Sequence, residues 1–368
     1  MLIAGFGTYD RDRHPRTGIV LDGFRDLGDE VVELDRPLGF STAERVEMLG
    51  KPWLAHRLAT RLVRRWAQLT GDRLRLRGRR PDAVVVGYLG HFDVVLARLL
   101  FPRTTVVLDL LIFAADTASD RGVRPSAKLR LLGVLDRLAV RCSDVVLVDT
   151  QEHAVMLTPT ERRKGVVVPV GAPDAWFAPE PPPAGGADGP LRVLFYGLFT
   201  PLQGAPVIGR ALALLAARGA DVQVTMVGGG QDLERTRELA GPDNPLVTWH
   251  EWVEPDRLPV LAREQDVCLG IFADSGKGLR VTPNKVYQGA AAGCAVVTSR
   301  TPPQERALGD DALLVAPGDA DALAEALGSL AADRARVLEL RRRAWARADR
   351  DFRPARVAAA VRPALTRP

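Results

Sequence analysis

Short runs of branched apolar residues alternate with longer, helix-like stretches along the whole 368-residue chain. This alternation is typical of parallel strands joined by helices. A tract rich in proline and glycine, 178–190, divides the runs into two sets and indicates a linker, because it cannot hold regular structure. The sequence therefore predicts an α/β fold of two Rossmann-like, doubly wound domains that face a central cleft. The runs are 2–6, 30–34, 83–87, 105–109, 144–149 and 166–171 in the first set, and 191–197, 222–228, 246–252, 266–272, 295–299 and 312–316 in the second.

Domain boundaries follow from the position of the linker. The predicted N-terminal domain covers 1–177, the linker 178–190 and the C-terminal domain 191–350. Each of the two domains is long enough to bury a core of its own. The last segment, 351–368, predicts one more helix, with Pro354 in its first turn, where proline is tolerated.

Cysteine and histidine usage argues against a disulfide framework and against a metal centre. Cys142, Cys268 and Cys294 are odd in number and far apart, and the last two have apolar neighbours, which is typical of buried thiols in a reducing compartment. The five histidines are scattered, without the paired spacing of metal ligands. No apolar run approaches the roughly 20 residues that span a bilayer. We therefore expect a cytoplasmic protein that needs no metal ion and no cofactor.

A basic segment, 51–80, carries ten lysine and arginine residues against a single acid, Asp72. Its apolar residues recur at helical spacing with arginines on another face, which predicts an amphipathic helix. The simpler interpretation is a surface helix packed on the sheet. The alternative is an interfacial helix attracted to anionic lipid or to a lipid-phosphate acceptor, which would hold the protein at the inner face of the membrane. Nucleic acid is the least favoured partner, because no recognisable binding module accompanies the charge.

Polar side chains gather just beyond strand ends in the N-terminal half. His91 follows the third run, Asp109 ends the fourth, and Asp116 and Thr117 come soon after, with Arg121 close behind. Each such residue alone is more often a cap or a turn former. Loops at strand ends are nevertheless where α/β folds keep their chemistry. The clustering predicts catalytic roles for His91, Asp109 and Asp116.

The C-terminal half contains only two of the five lysines, Lys277 and Lys285, and both lie in the stretch 274–293 with Arg280 between them. This stretch follows the run 266–272, and Pro283 then opens a helix-like segment. A helix N-terminus beside cations favours an anion. Lysine supplies a compact, mobile charge and arginine a fixed fork, so the stretch predicts a diphosphate site. A solvated basic loop is the simpler alternative.

Several motifs make nearly the whole chain resemble the retaining GT-B glycosyltransferases of family 4, most strongly between 191 and 305. FYGLFTPLQG at 195–204 resembles that family's GRLxPxKG loop, and MVGGGQ at 226–231 resembles its vGdGp. WHEWVEPDRLPVLAREQDVCL at 249–269 resembles its nucleotide-contacting stretch, and PNKVYQGAAAGCAVVTS at 283–299 resembles PnKlyEymAaGkPVvas. The run LGIF…K…RVTPNKVYQ looks like a recurrent bacterial subgroup.

The resemblance implies a nucleotide-sugar donor held mainly by the C-terminal domain, a hydroxyl acceptor against the N-terminal domain, and a terminal helix that crosses back to it. The acceptor would be a saccharide, a lipid-linked molecule or a small molecule. Transfer would retain configuration by a front-face displacement, without metal, so that the protein itself stabilises the leaving diphosphate. Arg280 and Lys285 would also be catalytic. The implied contacts are to the diphosphate from Gly18, Gly204, Lys277, Arg280, Asn284 and Lys285, to the nucleoside from Gly228, Trp252, Val253 and Gln288, and to the sugar from Lys277, Thr282 and Pro283.

The chain departs from the family pattern at positions that normally carry charge. Leu198 and Gln203 replace the arginine and lysine of GRLxPxKG, and Arg280 and Gln288 replace the two glutamates of an E-x7-E pair. We infer that the diphosphate-binding charge has moved to the cationic stretch 274–293. Gln288 can still hydrogen-bond ribose hydroxyls, whereas the glutamate that reads the sugar ring is absent. A degenerate, non-catalytic homologue is the alternative.

Two other functions fit parts of this pattern. A nucleotide-sugar 2-epimerase shares the architecture but needs acid/base carboxylates and histidines in the cleft, and the C-terminal half offers only His250. A non-enzymatic adaptor would use the segment 51–80 to hold membranes or acidic partners. Both rank below a glycosyltransferase.

Overall fold

Two parallel sheets of six strands each form the protein, which we describe from a computed structural model covering 1–11, 14–40, 55–76, 78–120, 127–182 and 189–366. Every neighbouring pair of strands is parallel. Helices cover the sheet faces, so the central strands are apolar on both sides. The predicted α/β architecture of two doubly wound domains is therefore confirmed.

The N-terminal sheet has the strand order β2-β1-β3-β4-β5-β6. Its strands are β1 (Leu2–Gly7), β2 (Glu30–Asp35), β3 (Ala83–Val86), β4 (Thr105–Asp109), β5 (Val145–Val148) and β6 (Gly165–Val167). The helices described in this half are α1 (Pro15–Asp26), α2 (Ala55–Asp72), α3 (Asp93–Leu100), α4 (Ala114–Asp120), α5 (Ala127–Cys142) and α6 (Gln151–Met156).

The C-terminal sheet has the strand order β12-β11-β10-β7-β8-β9. Its strands are β7 (Leu191–Tyr196), β8 (Val222–Val227), β9 (Val247–His250), β10 (Val267–Leu269), β11 (Ala295–Ser299) and β12 (Leu313–Val315). The helices described here are α7 (Ala205–Ala217), α8 (Leu233–Ala240), α9 (Leu258–Arg263), α10 (Asn284–Ala291), α11 (Pro302–Leu308), α12 (Ala320–Ala332), α13 (Arg334–Asp351) and α14 (Pro354–Leu365).

Each sheet has one point at which the strand order reverses. In the N-terminal sheet the reversal lies between β1 and β3, and in the C-terminal sheet between β7 and β10. The loops on either side of such a point run in opposite directions and leave a crevice beyond the carboxyl ends of the strands. The loops that follow β7 and β10 therefore carry the first candidate site.

The last helix, α14, packs on the N-terminal sheet, although it follows the C-terminal one in sequence. Val357 and Val361 are fully buried in a cluster with Ile3 and Ile19. Gly23 of α1 makes the contact close, since a Cβ there would lie 1.9 Å from the carbonyl oxygen of Pro354. The exact domain boundaries stay a prediction. Of the segments predicted as linker and terminal helix, 183–188 and 367–368 lie outside the described residues.

We expect Gly23→Ala to destabilise the protein, because the added methyl group would meet backbone that cannot move without shifting α14. Overpacking of this kind costs about 1–3 kcal/mol, measurable as a lower urea midpoint. Gly133→Ala in α5 is the matched control, since a Cβ there has no neighbour within 4 Å and alanine favours the helix. Equal midpoints for the two variants would show that α14 does not press on α1.

Candidate functional site

Three glycine-containing loops meet at the reversal point of the C-terminal sheet. Gly204, after β7, has φ 63°, and a Cβ there would lie 2.3 Å from the backbone nitrogen of Ala273, after β10. Gly228, after β8, has φ 123°, and a Cβ there would lie 2.0 Å from the carbonyl oxygen of Gly197. Only glycine permits both the backbone conformation and the approach. We call the loops 197–204, 228–230 and 270–273 the glycine floor.

Lys285 of α10 is buried against this floor. Its Nζ donates a hydrogen bond to Gln203 Oε1 at 2.6 Å and lies 3.8 Å from the centroid of the Phe195 ring. A Cβ on Gly197 would lie 3.4 Å from the same Nζ. In the described part of the chain this ammonium forms no ion pair. Burial removes it from water and lowers the pKa of Lys285 from 10.5 to about 7. Lys285 therefore lies beside the position where the sequence lacks the family's loop lysine, and its partner is the replacing residue.

Gln288 lies one helical turn beyond Lys285 and is also buried. The Tyr196 hydroxyl donates a hydrogen bond to Gln288 Oε1 at 2.7 Å. Burial raises the pKa of Tyr196, so this phenol remains a donor. The amide oxygen is thus engaged within the protein, and the amide NH2 is the part of the side chain that offers further hydrogen bonds.

Lys277 and Arg280 reach across the cleft to α4 of the N-terminal half. Arg280 Nη2 lies 2.5 Å from Asp116 Oδ1, and Lys277 Nζ donates to Thr117 Oγ1 at 2.9 Å. Thr150 Oγ1 donates to the Arg280 carbonyl at 2.9 Å, which fixes the backbone of the Arg280 turn. Among the described residues, the buried Arg280 Nε has no hydrogen-bond partner. Of the three predicted cations, Lys285 is therefore held within its own domain, whereas Lys277 and Arg280 contact the other domain.

His91 positions the helix that carries this bridge. Its Nε2 lies 2.9 Å from Asp136 Oδ1. The Asp136 carboxylate also accepts hydrogen bonds from the backbone nitrogens of Ala114 and Ala115, at 2.8 and 3.1 Å, at the start of α4. His91 and Asp136 are both buried. The contact that the structure gives His91 is thus to a carboxylate that caps α4.

Asp109 lies deeper, at the carboxyl end of β4. Its Oδ1 is 3.3 Å from Arg16 Nε, and both side chains are 1% exposed. Burial raises the pKa of Asp109, while Arg16 opposes the shift and Asp149 adds to it. In the part of the chain that the structure describes, Arg16 Nη2 and Asp109 Oδ2 have no hydrogen-bond partner. The structure encloses Asp109 and does not bring it to the bridge formed by Asp116.

The remaining predicted residues lie at several places around the cleft. Gly18 is buried within α1, on the opposite domain from the glycine floor. Thr282 is buried, Pro283 is the N-cap residue of α10 and Asn284 is its first residue. Val253 packs at the edge of the C-terminal core, and Trp252 is 68% exposed. Thus Thr282, Pro283 and Asn284 adjoin Lys285, whereas Trp252 presents an open ring.

Sequence reasoning missed three residues that organise this site, namely Arg16, Asp136 and Tyr196. Asp136 carried a signal, since it shares a helix face with the buried Ala139 and Val140, and an acid in an apolar stripe needs a partner. Arg16 and Tyr196 gave none, because their partners are distant in sequence.

The structure also bears on the expectations about metal and membrane. Within the described ranges, no group of three histidine, cysteine or acidic side chains could hold a metal ion. None of the helices described is long and apolar enough to cross a bilayer. Lys51 of the basic segment and Arg121 lie outside the described residues.

Comparison with known proteins bears on the fold and on the class of protein. Residues 190–333 match the family model described as Glycosyl transferases group 1. No curated protein matches the chain significantly in sequence. The structure is similar to HepE of Anabaena in complex with UDP-glucose, with a TM-score of 0.66 and 14% identity over 100% of this chain and 99% of that one.

Two further solved structures are similar over nearly their whole length. Sucrose-phosphate synthase of Thermosynechococcus elongatus has a TM-score of 0.68 and 15% identity, over 99% of this chain and 98% of that one. The UDP-forming α,α-trehalose-phosphate synthase of Burkholderia vietnamiensis has a TM-score of 0.65 and 15% identity, over 99% of this chain and 96% of that one. The chain has the GT-B fold. Together with the family match, this supports a GT-B glycosyltransferase, whereas family 4, its bacterial subgroup and the retaining mechanism stay predictions.

The lowered pKa of Lys285 predicts a pH-dependent stability. Above pH 7 the folded protein releases this proton, while the unfolded chain keeps it until about pH 10.4. The unfolded state then binds more protons, so the free energy of unfolding rises with pH over this window, by at most about 1.4 kcal/mol per unit. We expect Lys285→Met to reduce the rise between pH 7 and pH 9, measured by urea unfolding. Equal slopes would show that Lys285 stays charged in the fold.

Proposed function

We propose that the protein is a retaining, metal-independent glycosyltransferase, which moves a sugar from a nucleotide-sugar donor to a hydroxyl acceptor in the cytoplasm. The observation that supports this most directly is the buried Lys285 ammonium on the glycine floor, inside the region that matches the glycosyltransferase family model. HepE was solved with UDP and UDP-glucose, and the trehalose-phosphate synthase is named as UDP-forming. A uridine donor is therefore the first to test.

The donor diphosphate is proposed to lie on the glycine floor at the N-terminus of α10. Backbone NH groups at a helix start and in glycine turns suit phosphate oxygens. The Lys285 ammonium, now held by one neutral amide, would gain a phosphate as an ion-pair partner. Gln288 would meet the ribose through its amide NH2. Trp252 would contribute an open aromatic face to the nucleoside.

The proposed reaction breaks the bond between the anomeric carbon and the diphosphate oxygen, and that oxygen keeps the electron pair. The acceptor oxygen forms the new bond on the same face of the sugar, and its proton passes to the departing phosphate. The protein's contribution is charge stabilisation in an enclosed site. Lys285 would supply it from one domain, and Arg280, with Asp116 opposite, would supply it at the boundary between the domains. We propose His91 as a positioning residue that acts through Asp136 and α4.

We expect release of UDP from UDP-glucose to depend on a hydroxylic acceptor and to continue in excess chelator. Lys285→Met should lower kcat/KM by roughly 10²–10³, the usual scale for loss of one electrostatic donor. Lys164→Met is the matched control, because this partly buried lysine lies in the other domain and donates to the Ser143 carbonyl.

Other outcomes of the same assay point to the other functions. Conversion of the donor to its 2-epimer, without need for an acceptor, would indicate an epimerase. Absence of both turnover and donor binding for every nucleotide sugar tried would favour an adaptor. Activity that appears only after magnesium or manganese is restored would contradict metal independence.

We expect Asp116→Asn to tighten UDP binding by about two- to fivefold in calorimetry. The Asp116 carboxylate is paired with the Arg280 guanidinium, which the diphosphate is proposed to bind. A partly exposed ion pair contributes at most about 1 kcal/mol, so its loss can tighten binding only by this factor. Glu152→Gln is the control, since it removes another ion pair between the two halves, with Arg306, by the same chemical change. Weaker binding by Asp116→Asn would indicate that Asp116 itself contacts the donor, and equal tightening by both variants would indicate a general opening of the cleft.

A further inference from the structure

The first half of α2 contributes no buried residue to the described core. Trp66 Nε1 donates to Asp93 Oδ1 at 2.8 Å, and Asp93 Oδ2 accepts from the backbone nitrogen of Thr8 at 2.7 Å, just beyond the end of β1. This contact places Trp66 at the carboxyl edge of the N-terminal sheet. No residue from 56 to 65 is buried among the residues described. About 13 Å of helix before Trp66 therefore adjoins that edge without entering the core.

A cavity of about 350 Å³ lies along this part of the helix. The cavity is lined by three arginines, Arg57, Arg61 and Arg64. They recur at positions i, i+4 and i+7, so they share one helix face. The lining residues are Phe40, His56, Arg57, Thr60, Arg61 and Arg64. We call this cavity the arginine pocket.

The charge in the arginine pocket is not neutralised by the described residues. The Arg61 guanidinium lies 4.5 Å from the centroid of the Phe40 ring. Arg57 and Arg64 form no ion pair and no hydrogen bond within the described ranges. Elsewhere in the same domain, arginines such as Arg36 meet a carboxylate at 2.6 Å. Like charges three and four residues apart on a helix destabilise it, so a bound anion would relieve repulsion that the described residues do not offset.

We propose that the arginine pocket binds the phosphate group of a phosphorylated acceptor. Three guanidinium forks suit an anion with several oxygens and more than one charge, and arginine pairs with phosphate through two parallel hydrogen bonds. The pocket adjoins the carboxyl edge of the N-terminal sheet, whereas Lys285 and the glycine floor belong to the C-terminal one. This inference rests on the proposed glycosyltransferase function, because it assigns the pocket to the acceptor.

The phosphate could belong to a soluble phosphate ester or to a lipid headgroup, and the experiment separates these two sources. The probes are glucose 6-phosphate, phosphatidylcholine vesicles containing phosphatidic acid, and phosphatidylcholine vesicles containing phosphatidylserine at the same surface charge. The test protein is the full chain carrying Arg57→Gln, Arg61→Gln and Arg64→Gln. The control chain carries Arg103→Gln, Arg163→Gln and Arg336→Gln, which remove the same charge from three exposed positions elsewhere.

We expect the wild-type and control chains to bind glucose 6-phosphate or the phosphatidic acid vesicles at least tenfold more tightly than the test protein does. Binding of the soluble ester would assign a soluble acceptor phosphate, and binding of the vesicles alone a lipid phosphate. UDP affinity should be equal in all three chains. If UDP binds to none of them, the proposed function fails while the pocket result still stands on its own probes.

Results of two kinds would overturn the proposal. The first is wild-type protein that binds neither phosphate probe at low ionic strength, or a test protein that binds as well as the control. The second is equal binding to phosphatidylserine and phosphatidic acid vesicles, which would show attraction to a charged surface instead of recognition of a phosphate monoester.

Discussion

Backbone contact between glycine loops is the constraint on which the C-terminal half of the cleft depends. A Cβ at Gly204 or Gly228 would lie 2.3 Å or 2.0 Å from backbone atoms of a neighbouring loop. Any other residue would push these loops apart and open the place where Lys285 meets Gln203. The parallel topology brings the strand ends to one edge, and the absence of side chains then lets their loops touch. The buried ammonium is thus a consequence of backbone packing as much as of its own sequence position.

The cations of this cleft are held in two different ways, one by contacts within a domain and two by contacts between the domains. Lys285 is held by the domain that carries it, so its position does not depend on how the two halves are arranged. Arg280 and Lys277 instead contact α4, whose start is held by Asp136. An anion that competes with Asp116 for Arg280 must therefore alter a contact between the halves. Under the proposed function, this ion pair couples donor binding to the domain arrangement, because the donor diphosphate and Asp116 use the same guanidinium.

Arginine is used in two distinct ways in this molecule. Deep in the N-terminal half, Arg16 is enclosed with Asp109, and the pair keeps each charge from being buried alone. On α2, in the part of the chain described, Arg57 and Arg64 have no such partner. Among the described residues, this part of α2 is thus a localised face of positive charge beside the N-terminal strand ends, without a paired carboxylate. A charge of this kind attracts ligands of opposite sign more than it stabilises the fold.

The sequence by itself determined the strands, their parallel arrangement and the two-domain fold, because apolar periodicity and turn residues act over a few neighbours. Each of the twelve predicted runs overlaps one strand of the structure, including short ones such as β6. It also indicated Lys285 and the substituted Gln203, which proved to be hydrogen-bonded to each other. What only the tertiary structure decided is which charges meet. Asp116 and Arg280 are 164 positions apart, and Tyr196 and Gln288 are 92 apart. The packing of the two sheets and α4 decides which of these residues meet. Local sequence patterns extend over a few residues, so they cannot predict contacts between residues that are so far apart in the sequence.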